Sequence, residues 1–331
     1  MFSTQQIHPH SYQPINPPLQ PQPTGRPITV VFQDAPFIPS RKSTTLSEIK
    51  IAAQEFVAES YPDHTELPFH GKRHPYQVAE DSTRFVRRIE SEGKSVDKDA
   101  LYVASLLHDI FYKAPYEKCG FSSREHLAGH RSYEFLRTIG AAEDFSRIVE
   151  RSIYATDFRT TALTLEEKVM KAADLFNVGD QYKLFKENAH LLHEEQQLVT
   201  GTSSTFSHFV KGAISYLGLY AFREIDASQW ARLLSGASEW HVGFVQNAIT
   251  LYIEHHDGNA RWQIIEGANA ERVAILNAVR DPDTMYVIQL EGEENRENLL
   301  FEINAKKREW KLTSPVLVVP PSYGLHLEPM L

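Results

Sequence analysis

Residues 101–112 read LYVASLLHDIFY, and the rest of the chain is organised around this stretch. Its apolar residues recur at helical spacing, and Leu101, Ala104 and His108 share one face of the predicted helix. Asp109 stands beside His108, near the end of what we expect to be a core helix. Because a buried carboxylate is unstable without a partner, this pair needs a hydrogen bond, a counter-charge or a metal ion. A structural His–Asp pair would explain this stretch on its own.

Two further stretches carry polar side chains that could join this pair. Upstream, FHGKRHPYQVAEDS (residues 69–82) places His70 and His74 four residues apart at a predicted helix start. Downstream, EEKVMKAADLFNVGD (residues 166–180) has apolar residues four positions before and after Asp174. This spacing predicts a carboxylate on the apolar stripe of a helix.

The order His74, His108–Asp109, Asp174 resembles the H…HD…D pattern of the HD-domain metal-dependent phosphohydrolases. The segment F-H-x-x-x-H-x-x-x-V is similar to Y-H-N-x-x-H-x-x-x-V of cyclic-nucleotide phosphodiesterases, and KAADLFNVG is similar to D-A-D-L-x-x-L-G of small bacterial HD hydrolases. The likeness covers about residues 65–180 and implies a mainly α fold built on an HD-domain helical bundle. It also implies that His74, His108, Asp109 and Asp174 bind a divalent metal ion. Two imidazoles and two carboxylates suit Mn²⁺, Mg²⁺, Fe²⁺, Co²⁺ or Zn²⁺ without choosing among them.

The resemblance also implies roles for neighbouring residues. His70 occupies the position of the general-acid histidine in the phosphodiesterase segment, so with Asp109 it is a predicted catalytic residue; a loop histidine without a role is the alternative. In SREHLAGH, His126 is a predicted further metal ligand and Glu125 a predicted acid, base or water-orienting group. A histidine-bearing amphipathic helix would also explain that segment.

Two departures from the family pattern narrow these expectations. No histidine stands between His130 and His190, whereas members with two metal ions usually supply another one there. This absence favours one tightly held ion and a weak or missing second ion. Position 112 is Tyr112 where the nucleotidase-like members carry a glutamate, so that base is not carried over.

Four cationic residues are predicted to bind substrate phosphate. Lys72 and Arg73 stand between Gly71 and His74, Arg159 follows the segment IYATDF, and Lys171 lies three residues before Asp174. Each of them could equally be a solvated surface residue.

Composition excludes several classes of protein. Hydrophobic residues make up 42% of the chain and charged residues 23%, as in ordinary globular proteins. The net charge of −9 argues against a nucleic-acid partner. The single cysteine, Cys119, rules out an intramolecular disulfide and suits a reducing, cytoplasmic setting. No run of about 18 apolar residues occurs, and the first 25 residues lack an apolar signal-peptide core, so we expect no membrane partner.

We divide the chain into four segments. Residues 1–42 hold nine of the 18 prolines among Gln, Ser and Thr, which predicts a flexible extension. Helical periodicity runs through residues 43–280, divided into an HD domain, 43–200, and a C-terminal helical region, 201–282. Residues 283–331 contain the short β-type runs MYVIQL, LLFEIN, WKLT and VLVVP. They predict a small antiparallel β appendage of about three strands.

The predicted function is that of a divalent-metal-dependent phosphohydrolase in the cytoplasm. Its substrate would be a small phosphorylated molecule, a phosphomonoester or phosphodiester of a nucleotide or a similar compound. Two alternatives stay open: an HD-type diiron oxygenase, and a non-catalytic HD scaffold that binds a protein partner. Homo-oligomer formation also stays open.

Overall fold

Helices form most of the structure, and three short strands follow them near the C-terminus. The structure, a computed structural model, describes the following residues: 45–60, 67–71, 73–157, 159–179, 181–223, 239–256, 261–266, 281, 283–290, 298–299, 302–303, 305 and 314–319. The helices are α1 (Leu46–Ser60), α2 (Arg73–Ser91), α3 (Lys98–Leu107), α4 (Arg124–Thr138), α5 (Glu143–Tyr154), α6 (Leu165–Leu175), a 3-10 turn (Phe176–Gly179), α7 (Tyr182–Thr200), α8 (Phe206–Arg223) and α9 (Glu239–His255). The strands are β1 (Arg261–Glu266), β2 (Thr284–Gln289) and β3 (Val316–Val319). The predicted extension, residues 1–42, lies outside the described residues.

α3 lies at the centre of a helical bundle. The Asp97 carboxylate caps its start by accepting a hydrogen bond from Ala100 N over 2.9 Å, which satisfies one of the N–H groups that a helix end leaves free. Its apolar side chains pack between α1, α2, α5 and α6: Leu101, Val103, Ala104, Leu106 and Leu107. α3 ends at Leu107, so the HD pair follows it directly. Two residues after Asp109, Phe111 adopts a φ of 62°, a left-handed backbone conformation that is uncommon in residues other than glycine.

α2 and α6 pack against α3 and carry the other predicted ligands. α6 begins with a capping box, in which Thr164 Oγ1 accepts a hydrogen bond from Glu167 N and the Glu167 carboxylate accepts one from Thr164 N. These hydrogen bonds satisfy N–H groups that the helix start would otherwise leave free. The first turn of α2, the end of α3 and the last turn of α6 meet at one place in the bundle.

A second core lies between α7, α8, α9 and one face of the sheet. Its buried side chains come from all three helices and from two strands: Phe185, Ala189, Val210, Ile214, Phe244, Val245, Ala248, Ile249, Leu251, Tyr252, Met285, Val287 and Leu317. A third cluster covers the other face of the sheet, where Tyr286 and Ile288 pack with Leu299 and Ile303. The sheet is thus buried on both faces.

The sheet corrects the prediction for the C-terminal segment. Its order is β1-β2-β3 and both pairings are parallel, with Arg261 opposite Thr284 and Tyr286 opposite Val316. The predicted antiparallel arrangement is wrong, and so is the prediction of helix across residues 261–266. Parallel strands require a crossover rather than a hairpin, and the described residues of LLFEIN, which we predicted as a strand, are helical. WKLT lies outside the described residues.

The mainly α fold is confirmed, while the predicted domain boundaries remain predictions. All six residues of β2 are buried, as is typical of a strand in a parallel sheet covered on both faces. The predicted antiparallel sheet would have one solvent-exposed face, and β2 has none. No helix within the described ranges is long and apolar enough to cross a bilayer.

Candidate metal centre

Four predicted ligands converge where α2, α3 and α6 meet. His74 lies in the first turn of α2, His108 caps the end of α3, Asp109 follows it, and Asp174 lies in the last turn of α6. His108 Nε2 lies 2.8 Å from Asp109 Oδ2 and 3.4 Å from Asp174 Oδ1. His74 Nε2 lies 3.4 Å from Asp109 Oδ2 and 3.1 Å from Asp174 Oδ1. The two Nε2 atoms are 3.2 Å apart.

The donor set fits a divalent metal ion. Donors bound to one ion at about 2.0–2.2 Å, at angles of about 90–109°, lie roughly 2.8–3.6 Å from each other. The five separations above fall within that range. His108 Nδ1 lies 2.8 Å from the Ser105 carbonyl oxygen, which can only accept a hydrogen bond, so Nδ1 carries the hydrogen. In the neutral ring the Nε2 lone pair then faces the other donors, as in metal-binding histidines.

The electrostatics of the cluster favour ionised carboxylates. Burial alone would raise the pKa of Asp109, but the charges of His108 and His70 outweigh it and lower that pKa to about 2. Burial likewise opposes ionisation of Asp174, yet hydrogen bonds from His108 and His74 lower its pKa. Burial lowers the pKa of His74. Burial also opposes the charge on His108, but the charges and hydrogen bonds of Asp109 and Asp174 outweigh burial and raise its pKa well above the usual value. At neutral pH the cluster thus offers two anionic ligands and the neutral imidazole of His74, and a bound cation would take the place of the proton on His108.

His70 borders this cluster from the turn before α2. Its Nε2 lies 4.0 Å from Asp109 Oδ2, and its ring stacks on Tyr112 with centroids 4.0 Å apart and an interplanar angle of 20°. On its other side, Nδ1 donates a hydrogen bond to the Glu195 carboxylate on α7. The structure therefore brings His70 to the edge of the predicted metal site.

One family comparison bears on this geometry. Residues 72–178 match the model of the HD domain family. The chain contains an HD domain. The matched residues include all four converging ligands. The predicted membership in the HD-domain superfamily is confirmed. No curated protein and no solved structure matches the chain.

HD domains generally bind divalent metal ions and act as hydrolases. Within the described residues, donor atoms lie within 4.8 Å of one another in two groups, His70–His74–Asp109 and His74–His108–Asp174. Both groups share His74. The cluster of this HD domain is therefore compatible with metal binding, and it leaves the identity of the ion open.

Glu125 and His126 lie at the start of α4 in the HD domain, and neither belongs to those two groups. Burial raises the pKa of Glu125, and the charges of Asp157 and Asp109 raise it further, against hydrogen bonds from its own backbone and Ser123. His126 Nδ1 lies 2.6 Å from Ser122 Oγ, and its ring contacts Tyr154. Their predicted catalytic and metal-binding roles stay predictions.

The predicted phosphate-binding residues lie in different surroundings. Arg159 forms a two-pronged ion pair with Asp157, with Nε–Oδ1 at 3.0 Å and Nη2–Oδ2 at 2.7 Å. Lys171 is 1% exposed and its Nζ donates to the carbonyl oxygens of Asp157 and Thr160. Both cations therefore hold the loop after α5, and phosphate binding would require them to leave these contacts.

Arg73 is exposed at the start of α2, while Lys72 lies outside the described residues. Arg73 borders an open groove of about 740 Å³ along α2, together with Tyr76, Arg84 and Tyr102. The lining of that groove includes none of the four converging ligands. Substrate binding by Arg73 and Lys72 stays a prediction.

Glu195 is the site residue that the sequence reasoning missed. It lies in HEEQQ on α7, beyond the H…HD…D pattern, and acidic residues of this kind are common on solvated helix faces. Nothing in its spacing marks it as buried. Only the packing of α7 against the turn at residues 67–71 brings its carboxylate to His70.

Proposed function

We propose that this HD domain hydrolyses a phosphomonoester or phosphodiester in a reaction that depends on a divalent metal ion. The observation that carries the proposal is the convergence of His74, His108, Asp109 and Asp174, in which the distances between the two histidines and from each histidine to each carboxylate suit one ion. A nucleotide or a similar small phosphoester is the substrate class we favour. The similarity of residues 69–78 to a phosphodiesterase segment supports that choice.

The chain would hold the ion through His74 and His108 Nε2 and one oxygen each of Asp109 and Asp174. The two ionised carboxylates balance the charge of a divalent cation. When bound, such an ion polarises a phosphoryl oxygen and increases the acidity of water. His126 is the residue we propose as a ligand for a weaker second ion.

His70 is the proposed proton donor. Its protonated ring gives the hydrogen on Nε2 to the leaving oxygen as the phosphorus–oxygen bond breaks, while water adds its hydroxyl group to phosphorus and releases its other proton to solvent. The leaving oxygen keeps the electron pair of the broken bond. After the transfer, the neutral ring retains the hydrogen on Nδ1, which faces Glu195.

Glu125 and the cations have proposed supporting roles. The raised pKa of Glu125 suits a group that transfers a proton or orients water near Asp109. Arg73 and Lys72 adjoin His74 in the sequence, where they would attract an anionic substrate. Arg159 and Lys171 would contribute through the loop after α5, which both of them hold.

Metal analysis together with hydrolysis assays tests the proposal. We expect about one transition ion per chain, and hydrolysis of p-nitrophenyl phosphate or bis(p-nitrophenyl) phosphate that a chelator abolishes and added metal restores. Nucleotide mono- and diesters then define the substrate. Two irons per chain with oxygenase activity, or a fully stable protein that neither binds metal nor hydrolyses esters, would contradict the proposal.

A further inference from the structure

Glu195 places a buried carboxylate directly behind His70. It is 2% exposed, and it lies five residues before the end of α7. One oxygen accepts the hydrogen bond from His70 Nδ1, and the other accepts hydrogen bonds from His70 N at 2.8 Å and Phe69 N at 3.0 Å. Three donors from two successive residues thus satisfy one carboxylate, which is how a buried charge is stabilised.

These contacts fix which nitrogen of His70 carries the hydrogen. An ionised carboxylate can only accept, so the hydrogen must be on Nδ1. Burial would raise the pKa of Glu195, but its hydrogen bonds with His70 and the backbone N–H groups outweigh burial and lower that pKa. Glu195 is therefore ionised at neutral pH, and His70 Nε2 faces Asp109 Oδ2.

A stack on the face of the ring restrains His70 further. Tyr112 lies nearly parallel to the imidazole, and the Arg124 guanidinium lies 4.4 Å from the centre of the Tyr112 ring. Cation and ring attract each other in this arrangement. The hydrogen bonds fix one edge of the His70 ring while the stack limits its rotation.

Both members of the pair lie outside residues 72–178, the range that matches the HD family. His70 precedes that range and Glu195 follows it. We infer that Glu195 is a positioning residue for His70: it keeps the hydrogen on Nδ1 and presents Nε2 to the metal centre. The inference rests on the proposed function and adds to its site a residue from beyond the range that matches the HD family.

The chemical consequence concerns only the proton on Nε2. With Nδ1–H held by Glu195, the protonated ring has one hydrogen that can leave, and it points toward the metal centre. After donation the ring is neutral and its remaining hydrogen bond to Glu195 is unchanged. A carboxylate behind a histidine supports the charged ring in the same way in other proton-transfer sites.

Glu195→Gln is the decisive variant, because the amide has nearly the same shape. Its oxygen can still accept from the backbone N–H groups of Phe69 and His70, so the turn is retained. Its NH₂ group would face His70 Nδ1 as a donor, which favours the hydrogen on Nε2 in the neutral ring. Glu194→Gln, at an exposed position of the same helix, is the matched control.

The first measurement is the hydrogen position on His70, read from nitrogen-15 NMR of histidine-labelled, metal-free protein at a pH where the ring is neutral. We expect hydrogen on Nδ1 in the unaltered protein and in Glu194→Gln, and on Nε2 in Glu195→Gln. This readout does not depend on activity. Hydrogen on Nε2 in the unaltered protein would overturn the inference even if Glu195→Gln failed to fold.

The second measurement is hydrolysis by the metal-loaded protein. For an ester with an alkyl leaving group, we expect Glu195→Gln to lower kcat about 10- to 100-fold, the usual effect of losing a supporting residue, with KM nearly unchanged. The loss should be smaller for p-nitrophenolate, which leaves without a proton. Glu195→Asp should recover part of the rate, since it restores the carboxylate.

Failure of the inference and failure of the proposed function give different results. An unaltered protein that hydrolyses nothing, yet has hydrogen on His70 Nδ1, contradicts the function and retains the pairing. Full hydrolysis by folded Glu195→Gln on both kinds of ester contradicts the positioning role and retains the function.

Discussion

His108 is oriented by its own helix. Its Nδ1 donates to the Ser105 carbonyl oxygen three residues earlier, in the last turn of α3. That single bond decides which nitrogen faces His74, Asp109 and Asp174. A local hydrogen bond thus orients the ring for a metal ion, and this orientation does not depend on contacts with distant parts of the chain.

Asp109→Asn tests the cluster at its centre. The amide keeps the shape of the side chain but removes an anionic ligand. We expect protein reconstituted with Mn²⁺ to lose its bound metal and to lose hydrolysis by more than about 100-fold, since even residues that only support a ligand cost 10–100-fold. Metal analysis and rate measurements check this, with circular dichroism to show that the helices remain.

Asp99→Asn is the control for that variant. Asp99 lies in the first turn of α3, the helix that ends just before the HD pair, and pairs with Lys50 at 2.5 Å at a partly exposed position, where such pairs contribute little. It should retain metal and activity. Asp109→Asn with full metal content and full activity would show that the site lies elsewhere.

Asp157 gives a pH-dependent prediction. Burial opposes its ionisation, but the contacts with Arg159 outweigh burial and lower its pKa. A lowered pKa in the folded state stabilises the fold above the unfolded pKa, about 3.9, and this contribution is lost as pH falls through the folded value. We expect Asp157→Asn to lower the free energy of unfolding by about 1.5–3 kcal/mol at pH 7, and by less near pH 3. Urea unfolding at both pH values measures this, and an equal loss at both would contradict it.

At the scale of elements, α9 packs closely on the 3-10 turn that follows Asp174. A Cβ added at Gly243 would lie 2.5 Å from the Gly179 carbonyl oxygen. The second core therefore reaches the end of α6, which carries a predicted ligand. α7 links the same two regions, since it contributes Phe185 to the second core and Glu195 to the site.

Gly243→Ala and Gly212→Ala together distinguish the effect of this close packing on stability from the effect of helix propensity. The added methyl group must displace backbone, so we expect a loss of about 1–3 kcal/mol in the free energy of unfolding. At Gly212 on α8, no atom beyond the neighbouring backbone of the helix lies within 4 Å of an added Cβ, and Gly212→Ala should add about 0.5–1 kcal/mol. Urea unfolding of both variants checks the pair. Stabilisation by both substitutions would show that α9 and the turn are not in contact.

At the scale of the whole molecule, removal of residues 1–40 tests the predicted extension. A segment rich in Pro and Gln buries little apolar surface, so we expect unchanged hydrolysis. The melting temperature should move by less than about 2 °C, the shift that roughly 1 kcal/mol produces in a chain of this size. Calorimetry and rate assays measure both. A loss of several degrees would show that the apolar run ITVVF, residues 28–32, is built into the fold.

The bundle was predictable because its signals are local. Asp97 caps α3, Thr164 and Glu167 cap α6, and apolar spacing marks the buried face of each helix. The direction in which the strands of the sheet pair was not predictable, because a buried strand such as β2 has the same apolar run in a parallel or an antiparallel pairing. Which strand becomes its neighbour depends on a crossover far along the chain.

The sequence by itself determined the HD domain, the mainly helical fold, and the identity of the residues that converge on α2, α3 and α6. Residue type, order and helical period carry that information. The tertiary structure alone decided that β1, β2 and β3 run parallel, and that Glu195 reaches His70 from α7. Both depend on contacts between residues far apart in the chain: Glu195 follows His70 by 125 residues, and no local period can encode such a distance. Packing of whole helices against each other sets it.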